Sequence, residues 1–214
     1  MPPTTPILLT VFALASVFVL LRAESAGYTR LTYAAKPLAM VSIGLIAVLA
    51  WPVVSETYRQ LIVAGMILSM VGDVFLMLPK DRFMAGLGAF LLAHIAYIAA
   101  FAGRLEDVPI LPFLPFTLAF VFVARLLWPD LRSERYPVLI YSAALTVMAA
   151  LATGVAVSEG SLSAVACAVG AVLFVLSDTA LAFDRFVGAF GSARYFILTT
   201  YFAAQLLIAL SVFA

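Results

Sequence analysis

Two carboxylates, Asp73 and Asp178, stand inside stretches of the chain that are otherwise almost entirely apolar. Asp73 lies in "SMVGDVFLML" and Asp178 lies in "VLFVLSDTAL". Two carboxylates in a dry cleft repel one another when both are ionised, so one of them can stay protonated near neutral pH. Such a pair supplies a general acid and a general base from identical side chains. We therefore expect Asp73 and Asp178 to be catalytic.

The two carboxylates are expected at the same depth in their helices. With a rise of ~1.5 Å per residue, Asp73 lies roughly 10 Å in from Lys80, and Asp178 lies roughly 9 Å in from Asp184. Charged groups inside a membrane helix are costly and normally face the bundle interior or a watery cavity. A structural hydrogen bond would explain either aspartate alone, but the matched depth favours a shared function.

Further polar side chains are predicted to line the same cavity. His94 and Gln205 would both lie on the order of 17 Å from the charged end of their helices. Spacings of three or four residues put Tyr97 beside His94, Ser69 beside Asp73, and Tyr201 beside Gln205. For His94 alone, a buried neutral imidazole bonded to backbone or tyrosine is the main alternative. The residues expected to bind substrate are Lys36, Ser69, His94, Tyr97, Ser177, Arg185, Tyr201 and Gln205.

The elements that position these residues are membrane helices. Of the 214 residues 65% are hydrophobic and only 11% are charged, and the mean hydropathy is +1.17, which indicates a membrane protein. A span needs roughly 20 apolar residues, and the charges divide the chain into eight segments of about that length. We predict an all-α bundle of eight transmembrane helices, a single domain over residues 1–214. The segments are Ile7–Leu21, Pro37–Val54, Leu61–Leu78, Phe83–Ala102, Pro109–Leu127, Pro137–Val157, Leu162–Phe183 and Tyr195–Phe213.

The first segment and the cysteine content exclude two other interpretations. The N-terminal segment has no Lys or Arg before Arg22, so we expect it to be a retained span and not a secretory leader. Cys167 is the only cysteine and His94 the only histidine. Disulfides within the chain and cysteine-rich metal sites are thereby excluded, and we expect Cys167 to pack and no metal to be bound.

The basic residues predict the orientation of the bundle. In an eight-span arrangement, ten Lys and Arg residues fall on one side and two, Arg59 and Arg104, fall on the side that carries the termini. Because cytoplasmic loops carry the excess of basic residues, both termini should lie outside a bacterial inner membrane, with the active site opening toward the cytoplasm. The basic clusters are small and interrupted by acids, so nucleic acid is an improbable partner.

A weak internal repeat relates the two aspartate stretches. "SMVGDVFLMLPKDRF" and "FVLSDTALAFDRF" both place an Asp a few residues before Asp-Arg-Phe. Pro37 and Pro137 open corresponding segments at a similar offset. The pattern suggests two parallel four-helix halves, an arrangement known in membrane proteins, although the match could be chance.

Three chemistries could use an intramembrane carboxylate pair. Aspartyl proteolysis in the membrane uses a Gly-Asp within a longer glycine-rich signature, of which only Gly72-Asp73 is present. Zinc hydrolysis is improbable because one histidine and one cysteine cannot supply the usual ligands. Acid-catalysed addition of water to a lipid ether or ester needs a proton donor, a group that activates water, and a tunnel for the aliphatic chain.

Several short polar signatures together resemble a known family. They are Lys36-Pro37, "SMVGDVFLML", "FMAGLGAFLLAHIAYIAAF", "GAVLFVLSDTALAFDRF" and "TTYFAAQLLIA". Their order over most of the chain is similar to that of the YhhN-like membrane proteins, which include the lysoplasmalogenases. The first span and the "RLEDVPILPFLPF" region carry little of the resemblance.

The resemblance implies hydrolysis of the vinyl ether bond of lysoplasmalogen, which yields a fatty aldehyde and glycerophosphoethanolamine or glycerophosphocholine. The expected ligands are then a lysophospholipid and the surrounding membrane lipids, without a cofactor. Lys36 or Arg185 would meet the phosphate at the cytoplasmic mouth, although such residues by default snorkel to the headgroups. A proton-coupled transporter or lipid translocator would use the same aspartates as a proton relay and is the competing hypothesis.

Overall fold

The computed structural model describes residues 4–214, which form an all-helical bundle. Within this range there is no β-strand, only an isolated bridge between Val53 and Phe213. A 3-10 turn precedes α6, and a single π-helical turn, Phe183–Val187, follows α7. The helices are α1 (Thr4–Ser25), α2 (Thr29–Val48), α3 (Glu56–Met77), α4 (Phe83–Ala102), α5 (Phe113–Leu127), α6 (Arg135–Glu159), α7 (Leu162–Ala182) and α8 (Ala193–Leu210).

The bundle has the dimensions of an integral membrane protein. Seven of the helices in the described range are long and apolar enough to cross a membrane, whereas α5, with 15 residues, is shorter. Large apolar side chains such as Phe18, Leu92 and Phe122 are exposed on the outside of the bundle. An exposed surface of this composition suits contact with lipid, so the prediction of an all-α membrane bundle is confirmed.

The second helix corrects one predicted boundary. It begins at Thr29, eight residues before Pro37, which therefore lies inside the helix and does not open it. Pro37 lacks an N–H to donate to the carbonyl of Tyr33, yet α2 continues through it. Hydropathy locates only the apolar part of a span, and the first two turns of α2 are polar. As a consequence Lys36 lies about two turns inside the helix.

Helix 3 also begins earlier than predicted, and here the capping residue explains it. Ser55 has extended backbone angles, and its side chain accepts a hydrogen bond of 3.1 Å from the backbone N–H of Tyr58. This bond satisfies one of the free donors of the first turn. The helix therefore starts at Glu56, five residues before Leu61, the predicted start.

Glycines allow the helices that carry the candidate residues to approach closely. A Cβ added at Gly72 would lie 2.6 Å from the ring of Phe90 on α4, and one at Gly65 would overlap the ring of Tyr97. On α7, a Cβ at Gly170 would lie 3.0 Å from the carbonyl oxygen of Ala204 on α8. Small residues at helix contacts are the usual means of packing membrane helices. They bring α3 against α4 and α7 against α8.

The end of the bundle opposite the aspartates is held by Arg104. Its guanidinium donates to both carboxylate oxygens of Glu159, at 2.9 and 2.5 Å, and to Ser163 Oγ at 2.9 Å. It also lies over the ring of Tyr58, 4.8 Å from the ring centroid. The side chain of Arg104 is almost fully buried. These contacts tie the ends of α4 and α6 to the starts of α3 and α7.

Candidate active site

A cavity of about 310 Å³ lies between α5 and the rest of the bundle. Its walls are mostly apolar, and α5 contributes Phe116, Phe120 and Val123. Both predicted catalytic residues, Asp73 and Asp178, line it. A concave apolar pocket with a few converging polar groups is the usual form of a small-molecule site. This cavity is therefore the candidate active site.

Asp73 is held in the cavity wall by two partners from different helices. Its side chain is only 3% exposed, and the Lys36 ammonium lies 2.7 Å from its Oδ1. Tyr201 Oη on α8 donates a hydrogen bond of 2.7 Å to its Oδ2. A buried charge is tolerated when it is paired and hydrogen-bonded. The arrangement is that of a carboxylate with an ammonium counter-ion.

Asp178 has a different kind of partner from Asp73. Tyr141 Oη on α6 donates a hydrogen bond to Asp178 Oδ2. No Lys or Arg side chain between residues 4 and 214 forms an ion pair with this carboxyl group. The residue is half-buried, because one side of it faces the cavity. The two aspartates thus share one cavity, but only Asp73 has a cationic partner.

A cluster of aromatic rings fixes the two tyrosines. Tyr201 meets Phe174 edge to face at a centroid distance of 5.4 Å and Phe90 at 5.9 Å. His94 meets Phe174 at 4.8 Å and Tyr141 at 5.1 Å, again edge to face. Such contacts stabilise ring orientation as well as burying surface. The cluster forms the floor of the cavity and aims both phenol groups at the aspartates.

The deeper polar residues lie behind this floor and do not line the cavity. His94 is fully buried, and its Nδ1 donates to the Phe90 carbonyl at 2.6 Å, which assigns the tautomer with an unprotonated Nε2. Tyr97 Oη donates to Gln205 Oε1 at 2.8 Å. The side-chain oxygen of Ser69 is buried nearby on α3. These four residues are all buried outside the cavity lining, where they support the site from beneath.

The other predicted ligands are distributed as follows. Ser177 lines the cavity, but its hydroxyl donates to the Ile197 carbonyl at 3.0 Å and so ties α7 to α8. Arg185 is paired with Asp81 and stacked over Phe83 at 4.9 Å, outside the cavity lining. Of the predicted residues, those in the lining are Lys36, Asp73, Ser177, Asp178 and Tyr201, and those outside it are Ser69, His94, Tyr97, Arg185 and Gln205.

The placement of Lys36 corrects its expected position. The sequence predicts that Lys36 lies at the mouth of the cavity, because the apolar segment begins at Pro37. In the structure the earlier start of α2 carries Lys36 inward to the level of Asp73, where the two form an ion pair. The Lys36 ammonium is therefore paired with a carboxylate of the protein itself.

Several polar residues of the lining were not predicted from the sequence, among them Tyr141, Asp184 and Arg194. Tyr141 is one of eight tyrosines, and nothing in its sequence surroundings indicates that it faces α7. Asp184 lies in the π-helical turn after α7 and Arg194 in the first turn of α8, and both look like ordinary surface charges in the sequence. Within residues 4–214 no group of three or more His, Cys, Asp or Glu side chains is placed to hold a metal ion.

Comparison with known proteins places the chain among membrane proteins of one family. The model of the YhhN family matches residues 31–212. Lysoplasmalogenase TMEM86B of Sus scrofa is 38% identical over 158 residues, which are 72% of this chain and 64% of that protein. The Homo sapiens protein of the same name is 37% identical over 163 residues, 73% of this chain and 65% of that protein.

A bacterial relative covers more of the chain. The membrane protein YhhN of Escherichia coli O157:H7 is 28% identical over 183 residues, 83% of this chain and 85% of that protein. The chain spans just under two thirds of the length of the two lysoplasmalogenases. No solved structure matches it.

Proposed function

Because the chain belongs to the YhhN family, we propose that it is a lysoplasmalogenase. It would hydrolyse the vinyl ether bond of a lysoplasmalogen to a fatty aldehyde and glycerophosphoethanolamine or glycerophosphocholine. The observation that carries the proposal is the difference between the two aspartates of the apolar cavity. One is paired with an ammonium group and the other is not. This is the arrangement that a reaction with one acid and one base requires.

Asp178 is proposed as the general acid. Within the described range it forms no ion pair, and the cavity around it is mostly apolar. Such surroundings favour the protonated form of a carboxyl group. A vinyl ether reacts when a proton adds to the β-carbon of its double bond, and positive charge then develops on the carbon bonded to oxygen. Proton transfer from a positioned carboxylic acid contributes on the order of 10²–10⁴-fold to such a step.

Asp73 is proposed as the carboxylate of the pair. The Lys36 ammonium favours its ionised form, and the hydrogen bond from Tyr201 orients it. A fixed negative charge near the developing oxocarbenium ion stabilises that ion. The same carboxylate accepts a proton from the water that attacks the cationic carbon, which completes a hemiacetal. Asp178 has then lost one proton and Asp73 has gained one.

Collapse of the hemiacetal releases the products. The glycerol oxygen takes up the proton that Asp73 gained, and its bond to the former vinyl carbon breaks. The hydroxyl group gives its proton to Asp178 as it becomes the aldehyde carbonyl, so both carboxyl groups return to their starting states. Tyr141 and Tyr201 hold the two carboxyl groups while this occurs. The deeper residues His94, Tyr97, Ser69 and Gln205 are proposed to support these positions through the aromatic floor and not to touch the substrate.

The proposed setting is a bacterial inner membrane. We infer that the protein is one domain of eight spans, with α5 as the shortest, with both termini outside and with the cavity open to the cytoplasm. The excess of ten basic residues over two supports this orientation. Arg185 and Arg194 are both part of that excess and lie at the aspartate end of the bundle, whereas Arg104 lies at the other.

The direct test is aldehyde release from lysoplasmalogen by purified protein in detergent micelles, measured by mass spectrometry. The wild type should release aldehyde, and Asp73→Asn and Asp178→Asn should each reduce the rate by about 10²–10⁴-fold. Asp81→Asn, at an exposed aspartate outside the cavity, is the matched control. Full activity in either cavity variant would contradict the proposal. Micelles carry no gradient, so a transporter would release no aldehyde in this assay.

A further inference from the structure

Two opposite charges line the mouth of the same cavity and have no part in the proposed reaction. Arg194 lies in the first turn of α8, and Asp184 lies in the π-helical turn that follows α7. Both contribute to the lining that also contains Asp73 and Asp178. A cation and an anion at one mouth can recognise a ligand that carries both charges.

Arg194 is held in position and still has free donors. Its Nη2 donates to Glu24 Oε1 at 2.9 Å, and its Nε pairs with Glu24 Oε2. The Glu24 side chain is 8% exposed, whereas that of Arg194 is 73% exposed. A guanidinium has five N–H donors, and Glu24 occupies one edge of it. The remaining N–H groups of Arg194 are directed away from Glu24 and are available to a phosphate.

The Asp184 carboxylate has no charged partner in the part of the chain that the structure describes. It is half-buried and lines the cavity, yet it makes no side-chain hydrogen bond or ion pair within residues 4–214. The adjacent arginine, Arg185, is directed to Asp81 instead. A carboxylate at this position attracts an ammonium group.

The spacing between the mouth and the aspartates suits a lysophospholipid. Asp184 is six residues beyond Asp178, and Arg194 is seven residues before Tyr201, which correspond to roughly 9 and 10 Å along the helices. In a lysoplasmalogen five covalent bonds separate the vinyl ether oxygen from phosphorus, on the order of 6 Å when extended. The arginine side chain spans the remainder. A vinyl ether between the aspartates therefore places the phosphate near Arg194.

We propose that Arg194 and Asp184 form a headgroup site, in which Arg194 binds the phosphate and Asp184 binds the ammonium of a zwitterionic lysophospholipid. The inference rests on the proposed function and deepens it by naming the residues that select the headgroup. Glu24 is a positioning residue that orients Arg194. Lys36 and Arg185, the residues first expected here, are paired with Asp73 and Asp81.

The test uses lysolipids with a saturated ether, which bind but offer no double bond to protonate. Dissociation constants for analogues with an ethanolamine and with a glycerol headgroup are measured by native mass spectrometry of the purified protein. We expect the wild type to prefer ethanolamine on the order of tenfold. Asp184→Asn should bring the preference to about one, and Asp184→Lys should reverse it. Arg194→Gln should weaken both analogues about equally, and Arg194→Lys should restore part of the affinity.

Matched controls come from the charged pair outside the cavity. Asp81→Asn and Arg185→Gln change the same charges at the same end of the bundle and should leave the preference as in the wild type. A wild type without a preference, or Asp184 variants that keep it, would overturn the headgroup site. Because binding is measured without turnover, the headgroup preference can be determined even if the protein proves not to be a hydrolase. Conversely, an active enzyme with no headgroup preference would overturn only the present inference.

Discussion

Asp73 and Asp178 are the same residue type in similar stretches of sequence, yet the helices that face them give them different partners. Asp73 meets the Lys36 ammonium of α2 and the Tyr201 hydroxyl of α8. Among the described residues 4–214, the side-chain partner of Asp178 is the Tyr141 hydroxyl of α6. The chemical role of a carboxyl group is set by the charges around it. The difference shows that the opposing helices, and not the local motif, give the two carboxyl groups different surroundings.

The two aspartate-containing stretches are each followed by Asp-Arg-Phe, and these two tripeptides contact each other. Arg185 of the second Asp-Arg-Phe pairs with Asp81 of the first and lies over Phe83. The ring of Phe186 packs edge to face on Phe83 at 5.6 Å. The repeat-like segments thus contact each other at the mouth of the cavity.

The largest expected effect separates the two roles directly. Asp73→Gly and Asp178→Gly should each lose about 10²–10⁴-fold in aldehyde release. Formate is ionised at neutral pH, so it can replace a carboxylate beside Lys36 but not a carboxylic acid. We expect formate to restore activity to the Asp73 variant only. Rescue of the Asp178 variant instead would exchange the two assignments, and the measurement is the rate against formate concentration.

The second-largest effect is expected from breaking the ion pair between Lys36 and Asp73. Lys36→Met leaves the Asp73 carboxylate buried without its cation, and breaking one side of a buried pair costs about 3–5 kcal/mol. We expect a lower thermal unfolding midpoint in detergent and a loss of activity similar to that of Asp73→Asn. The double variant Lys36→Met/Asp73→Asn should regain most of the stability, because no charge then remains unpaired. A strictly additive double variant would argue against the pairing.

A smaller effect should follow from removing each phenol hydroxyl. Tyr201→Phe and Tyr141→Phe take away one hydrogen bond to Asp73 and to Asp178 respectively, and an unsatisfied buried partner costs about 1–3 kcal/mol. Tyr201→Phe should cost less, because Lys36 still contacts Asp73. Thermal unfolding of the two purified variants measures the difference. Phe202, which already lacks a hydroxyl and is fully buried, supplies a packing control as Phe202→Leu.

The sequence could predict that the two aspartates share one cavity, whereas it could not predict their partners. The shared cavity is expected from helical rise and the positions of Lys80 and Asp184. The pairing of Lys36 depends on where α2 begins, and polar first turns conceal that start from hydropathy. His94 is fully buried, but packing of aromatic rings from three helices decides that it lies outside the cavity lining. The direction in which a buried side chain points depends on the assembled bundle and not on one helix alone.

The exposed pair Arg185 and Asp81 has the same chemistry as Lys36 and Asp73 without the burial, and it should show the smallest effect. The Arg185 guanidinium, which donates to the Asp81 carboxylate, holds the pKa of Asp81 below its usual value. A lowered pKa contributes stability that is present above the unfolded value of 3.8 and is lost as pH falls through the folded value. At neutral pH, exposed pairs contribute little because water and salt screen them.

We therefore expect Arg185→Gln to leave the unfolding midpoint and the rate of aldehyde release near the wild-type values at pH 7. The difference in midpoint between wild type and variant should shrink further below pH 4, because protonated Asp81 no longer pairs with Arg185. Thermal unfolding of both proteins across this pH range is the measurement. A loss at pH 7 as large as that of Lys36→Met would mean that burial is not what distinguishes the two pairs.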